Sequence, residues 1–200
     1  MARQAGISSS KSHILKVLGS PEVIRSDRSM SRSTAIIVPY DPSEEDEANE
    51  LVDVLVADLR AQGHTVAVAN LYDIVLDILD EDDLYEEKVE LERTHGKARL
   101  KSELKDAADV ELDILPAIED IIKDRHPRLL FLTGVGACYP FLRTHQLLDI
   151  LDENVTVPVV VFYPGTYRRR ADGSVPLDIL GLPQSQGGGP FYQGRNVFDM

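Results

Sequence analysis

Only one cysteine, Cys138, occurs in the 200 residues. No internal disulfide can form, and a Cys-rich metal site is excluded. With no disulfide framework to demand an oxidising compartment, the cytoplasm is the expected location. Long apolar runs are missing too. None approaches the ~18 residues that span a bilayer, so no membrane partner is expected. The segment MARQAGISSSKSHILKVLGS lacks the apolar stretch of a secretory signal. Lysine is absent after Lys123, which removes the Gly-Lys-Ser/Thr end of a P-loop from the second half of the chain. No internal repeat is visible.

What the chain does have is segregated charge. Residues 1–40 carry a net +4, residues 41–126 a net −17, and residues 127–200 balance, for −13 in all. So acidic a middle repels phosphate backbones, and direct nucleic-acid binding is not expected of it. It reads either as a solvated helical face or as a docking face for a basic partner. Residues 1–32 read as a basic, partly flexible arm with a short helix around Ile14–Leu18. Residues 33–200 read as a single α/β domain.

Within that domain, Ala35-Ile36-Ile37-Val38 is a short apolar run ending at Pro39-Tyr40-Asp41-Pro42, as in a buried strand. Asp41 suits the N-cap of the next helix, Pro42 its first position, and Glu44 a capping box. Apolar residues then recur at Ala48, Leu51, Val52, Leu55, Val56 and Leu59, one helical stripe stopped at Gly63. Thr65–Ala69 predicts a second strand. Charged helical segments follow over 73–95 and 97–124, broken at Gly96, with Pro116 kinking or restarting the second. Arg128–Thr133 predicts a third strand, Pro140–Leu151 a helix, and Val157–Tyr163 a fourth strand ending in Pro164-Gly165. Phe191–Phe198 has room for a short edge strand. This alternation predicts an open, mainly parallel sheet of four to five strands with helices on both faces, a Rossmann-like three-layer α/β fold.

Ligands of such sheets bind at the carboxyl ends of the strands. Tyr40, Asp41, Tyr72, Gly134, Gly136 and Tyr163 fall there, although turn geometry alone also enriches those residue types. Gly134-x-Gly136 before a helix has the outline of a phosphate cradle. The dinucleotide fingerprint, however, needs a third small residue where Tyr139 stands. Cys138 and His145 have no evident third member for a nucleophilic set, and a lone cysteine is more often a small buried hydrophobe. His13, His64, His95, His126 and His145 show no metal-ligand spacing. Asp41 and Asp73 would suit Mg²⁺ if both faced one crevice, but Asp41 has a competing role as a cap. Arg168-Arg169-Arg170 suits carboxylates or phosphates, or is simply solvated.

Four segments carry a family resemblance: the strand ending in Tyr40-Asp41-Pro42; Leu71-Tyr72 after the second strand; Leu130–Gly136 followed by Tyr139-Pro140-Phe141-Leu142-Arg143 and His145; and Pro158–Gly165. With these the chain resembles the BrxB family, small components of BREX bacteriophage-exclusion systems, over about residues 35–182. The basic N-terminal extension has no counterpart in that pattern, the ending from Leu180 to Arg195 matches it loosely, and Gln184–Gly189 reads as inserted. The resemblance implies a part in antiviral defence beside PglZ-type and BrxC-type components. It supplies no catalytic residue, cofactor or metal. The expected function is thus a non-catalytic adaptor, with a nucleotide- or metal-binding enzyme using the strand-end crevice as the alternative. Partner binding is assigned to Tyr40, Asp41, Tyr72, Gly134, Gly136, Tyr139, Phe141, Arg143, Tyr163 and the Arg168–Arg170 run, with aromatics and arginine as anchors.

Overall fold

The computed structural model describes residues 6–24, 35–81, 84–167, 177–180 and 192–200. Five parallel strands form an open sheet in the order β2-β3-β4-β1-β6: β1 Ile36–Tyr40, β2 Val66–Asn70, β3 Leu129–Thr133, β4 Val159–Tyr167 and β6 Arg195–Asn196. A sixth, β5 Leu177–Ile179, pairs antiparallel with the far end of β4. The fold is the α/β, mainly parallel, three-layer class that the sequence predicts.

Alternation along the strands divides the core in two. Ile36, Val38, Phe131, Val160 and Phe162 face one side, beneath α1 (Lys11–Leu18) and α3 (Glu45–Ala61). Ile37, Leu130, Leu132, Val159 and Val161 face the other, beneath α4 (Leu71–Glu81), α6 (Leu115–Arg125) and α7 (Thr144–Asn154). The split follows from chain direction. The β1-to-β2 crossover runs one way along the sheet and the later ones return, so right-handed connections place their helices on opposite faces.

The N-terminal segment is docked. Ile14 and Leu18 are fully buried against the α3 face. Lys11 pairs with Asp58 at 2.9 Å, and His13 Nε2 lies 2.9 Å from the Val197 carbonyl. A single helical turn, α2 (Pro21–Ile24), follows and buries Val23. The linker expected before β1 lies outside the described residues.

The chain between β2 and β3 holds a reversal. The segment α5 (Tyr85–Ala107) is interrupted at Gly96, whose φ of +77° and ψ of 173° are not helical. Lys88 Nζ nonetheless lies 3.7 Å from Glu103 Oε2. In a straight helix those residues would stand about 22 Å apart, so the chain folds back at Gly96 into a helical hairpin. Its arms carry opposite net charge, −2 over residues 85–95 and +2 over 97–107. Pro116 sits in the first turn of α6, directly after a π-helical turn over Val110–Ile114, so the helical run restarts there with a changed hydrogen-bond pattern.

Two expected boundaries move. No helix begins at Pro140: residues 135–141 form turns and α7 starts only at Thr144. Pro140 lacks an N–H and disfavours helical geometry at Tyr139. The fourth strand does not stop at Pro164-Gly165 either. It loses β1 as a partner after Tyr40 pairs with Pro164, then pairs Gly165–Tyr167 with Leu177–Ile179. A Cβ on Gly165 would collide with the Asp178 carbonyl, so glycine is what admits β5.

Glycine is needed for a second close approach. Gly134 has φ +71°, and a Cβ there would strike the Asn70 amide and come within 2.9 Å of the Tyr72 nitrogen. Gly63, at φ +85°, has open space. Gly134→Ala should therefore cost roughly 2–5 kcal/mol, from left-handed backbone plus overpacking, against about 1 kcal/mol for Gly63→Ala. Urea unfolding midpoints of the two variants check the contrast.

Candidate functional site

The carboxyl ends of β2, β3 and β4 converge through the turn after β3. Asn70 pairs with Thr133 in register, and its Oδ1 accepts the Tyr72 N–H at 3.0 Å, closing an Asx turn over Gly134. On the other side of the turn, a Cβ on Gly136 would sit 2.9 Å from Pro164 and 3.5 Å from Leu180. The space beside both glycines is thus filled by the protein's own Asn70 and Pro164. Neither glycine leads into its own helix, since α7 begins eight residues beyond Gly136, and at the start of α4, which Gly134 abuts, the Tyr72 N–H is already taken by Asn70. The phosphate-cradle outline seen in the sequence is a packing motif here.

Around this turn the candidate residues differ in what they offer a partner. Tyr72 is 42% exposed and Arg143 is exposed, while Tyr139 and Phe141 are half-buried against the α4–α7 core. Tyr163 is 1% exposed. Burial, with the charge of Asp178 and the neighbouring Tyr139, raises its pKa above the ordinary phenol range. A side chain so placed supports the rim from beneath and gives a partner nothing to grip. Gly134 and Gly136 are partly covered.

Tyr40 and Asp41 end their strand on the same sheet edge but serve α3. Tyr40 turns into the α3 face, 6% exposed, and donates to Glu45 Oε2 at 2.8 Å. Burial and the Glu45 carboxylate both raise its pKa. Asp41 caps as expected: its Oδ1 accepts from Ser43 N at 2.9 Å and from Ser43 Oγ at 2.6 Å. Those bonds hold its carboxyl below the usual range. Because β1 lies three strands from β2, the ends that carry Asp41 and Asp73 are about 14 Å apart. They do not share one crevice. Arg168, Arg169 and Arg170 lie outside the described residues.

Cys138 and His145 also part company with nucleophilic chemistry. The thiol is fully buried, and burial together with the charge of Asp73 pushes its pKa up to about 12. The His145 pKa is lowered, chiefly by burial. A nucleophilic cysteine needs the opposite, an exposed site that favours the thiolate.

Sequence reasoning missed three features. One is Asn70, whose signal was its place directly after an alternating strand. Another is a tyrosine network: the Tyr192 hydroxyl accepts the Ala35 N–H at 2.7 Å and donates to Asp152 Oδ2 at 2.6 Å, while Tyr167 Oη lies 2.9 Å from the Tyr192 and Gly194 carbonyls. The last is a groove of about 430 Å³ between α3 and α4 along β2, with Asp53, Asp73 and Asp77 in its lining. Among the described residues no helix is long and apolar enough to cross a membrane.

The BrxB family profile, described as BREX protein BrxB, matches residues 67–193, from within β2 to just past Tyr192. A BREX protein BrxB of Bacillus cereus (strain H3081.97) is 31% identical over 100 residues, covering 49% of this chain and 52% of that protein. A BREX protein BrxB of Escherichia coli O9:H4 (strain HS) is 30% identical over 105 residues, 52% of each chain. The chain thus spans about half the length of the curated relatives it matches. No solved structure matches it.

The Cys138 environment sets one expectation. At pH 8 the folded protein should react with an aromatic disulfide reagent at least about a hundredfold more slowly than the urea-unfolded chain. Rapid labelling of the native state would contradict a buried thiol.

Proposed function

We propose that this chain, which belongs to the BrxB family, is a non-catalytic adaptor of a BREX antiphage assembly. In this reading it holds a PglZ-type protein, and a BrxC-type ATPase is a further neighbour. Family membership supports the BREX context. The carrying structural observation is the turn after β3, where Tyr139 and Phe141 are half-exposed on a rigid base beside the charged Arg143. Rigid aromatics with an adjacent arginine are the composition of binding anchors. Exposed Tyr72 extends that surface towards β2.

The physical logic favours gripping over reacting. Both glycines of the turn are consumed by packing against Asn70 and Pro164, and the only thiol is protonated. What the described residues of the turn leave at the surface is shape, aromatic area and the Arg143 guanidinium. Such a surface stabilises a complex by desolvation and charge-assisted hydrogen bonds.

Co-expression with the PglZ-type protein should give one complex on size exclusion at micromolar concentration. Arg143→Glu should weaken that complex by about tenfold or more while leaving the melting temperature nearly unchanged, because the side chain is exposed. Separate migration of the two wild-type proteins would remove the adaptor reading. A collapse of the melting temperature in Arg143→Glu would show the residue to be structural.

A further inference from the structure

The strand β2 is the outer strand of the sheet, pairing among the described residues only with β3. Its backbone orientation can be read from two hydrogen bonds. The Thr65 carbonyl accepts the Arg128 N–H at 2.7 Å, on the β3 side. The next carbonyl, Val66, accepts Arg60 Nη2 at 3.0 Å, on the outer side. Alternation then turns the N–H and C=O of Val68 outward, together with the N–H of Asn70. Those two residues are part of the lining of the groove of about 430 Å³. The groove's floor is therefore an open strand edge.

Its walls are acidic. Asp53 comes from α3, over one face of the sheet, and Asp73 and Asp77 come from α4, over the other. Among the described residues no lysine, arginine or histidine contributes to the lining. At the amino end of the same edge, the protein's own Arg60 already caps a strand carbonyl. Farther along, Val68 shares the groove lining with Asp53, Asp73 and Asp77.

From this we propose that the groove takes an extended basic segment of a partner protein, added as a strand beside β2. Main-chain bonds to Val68 would fix its register, as in other strand-addition modes. Successive side chains of an added strand point to opposite faces. One basic residue would therefore meet Asp53, and the next Asp73 or Asp77, so the fitting segment carries two adjacent Lys or Arg residues. The inference goes beyond the adaptor reading, because no residue from Tyr139 to Arg143 lines the groove.

The test uses the whole chain and a fluorescent ten-residue peptide with a central Lys-Arg pair among Val and Thr residues. Saturable binding is expected, weakened by roughly tenfold in Asp53→Lys/Asp77→Lys and by added salt. Amide exchange at Val68 should slow when the peptide binds. A matching peptide with Glu-Glu at its centre should not bind. Failure of the Lys-Arg peptide to bind, equal binding of both peptides, or unchanged Val68 exchange overturns the proposal. So does dimerisation of the chain with Val68 protected in the absence of peptide. The exchange measurement needs no variant, so it decides even if the double substitution perturbs folding. A failed peptide with an intact PglZ-type complex refutes the groove alone; the reverse result refutes the adaptor alone.

Discussion

Both faces of a parallel sheet have to be dry, and most of this molecule follows from how that demand is met. The crossover from β1 must pass beyond two strands to reach β2, and that places α3 alone on its face. One helix cannot cover a five-stranded sheet. The apolar side of α1 fills the remaining area, with Ile14 and Leu18 pressed against the α3 layer. The short helix expected within the basic, partly flexible arm is in this way part of the core. The opposite face has α4, α6 and α7 and needs no such help.

The same economy of space governs the carboxyl rim. In many open sheets the strand ends leave a crevice for a ligand. Here β4 outruns β1 and pairs with β5, while the turn after β3 leans on Asn70 and Pro164. Between β3 and β4 the rim is thus filled by protein, and the open space at the strand ends is the groove that reaches Asn70 and Thr133. The tyrosines divide accordingly. Tyr163 and Tyr40 are structural supports with buried phenols, whereas Tyr72 and Tyr139 remain accessible.

The strands were legible in the sequence because runs such as Leu129–Leu132 are apolar at every position, a pattern few other contexts require. The helical stripe from Ala48 to Leu59 was legible for the converse reason, its clean spacing. Chain reversals were less so. Gly96 signals a break, but only the Lys88–Glu103 contact shows that the break turns the chain back on itself. The extension of β4 through Pro164-Gly165 was hidden, because proline and glycine read as a stop and the strand that overrides them, Leu177–Ile179, is three residues long. The acidic groove was invisible for a different reason. Asp53 and Asp77 are ordinary solvated carboxylates within their own helices, and only the sheet order brings them to a common edge.

The position of β1 has a consequence for synthesis. Among the described strands it is the earliest made, yet its sheet neighbours are Val160 and Arg195 and their flanking residues. Until those emerge, Ile36, Ile37 and Val38 form an apolar segment with no ladder on either side. Pairing over such separations is slow, and an unpaired apolar strand invites association with other chains. The stretch made directly after β1 carries a net −17 over residues 41–126, and like charge of that density opposes the approach of a second copy while β4 and β6 are still to come.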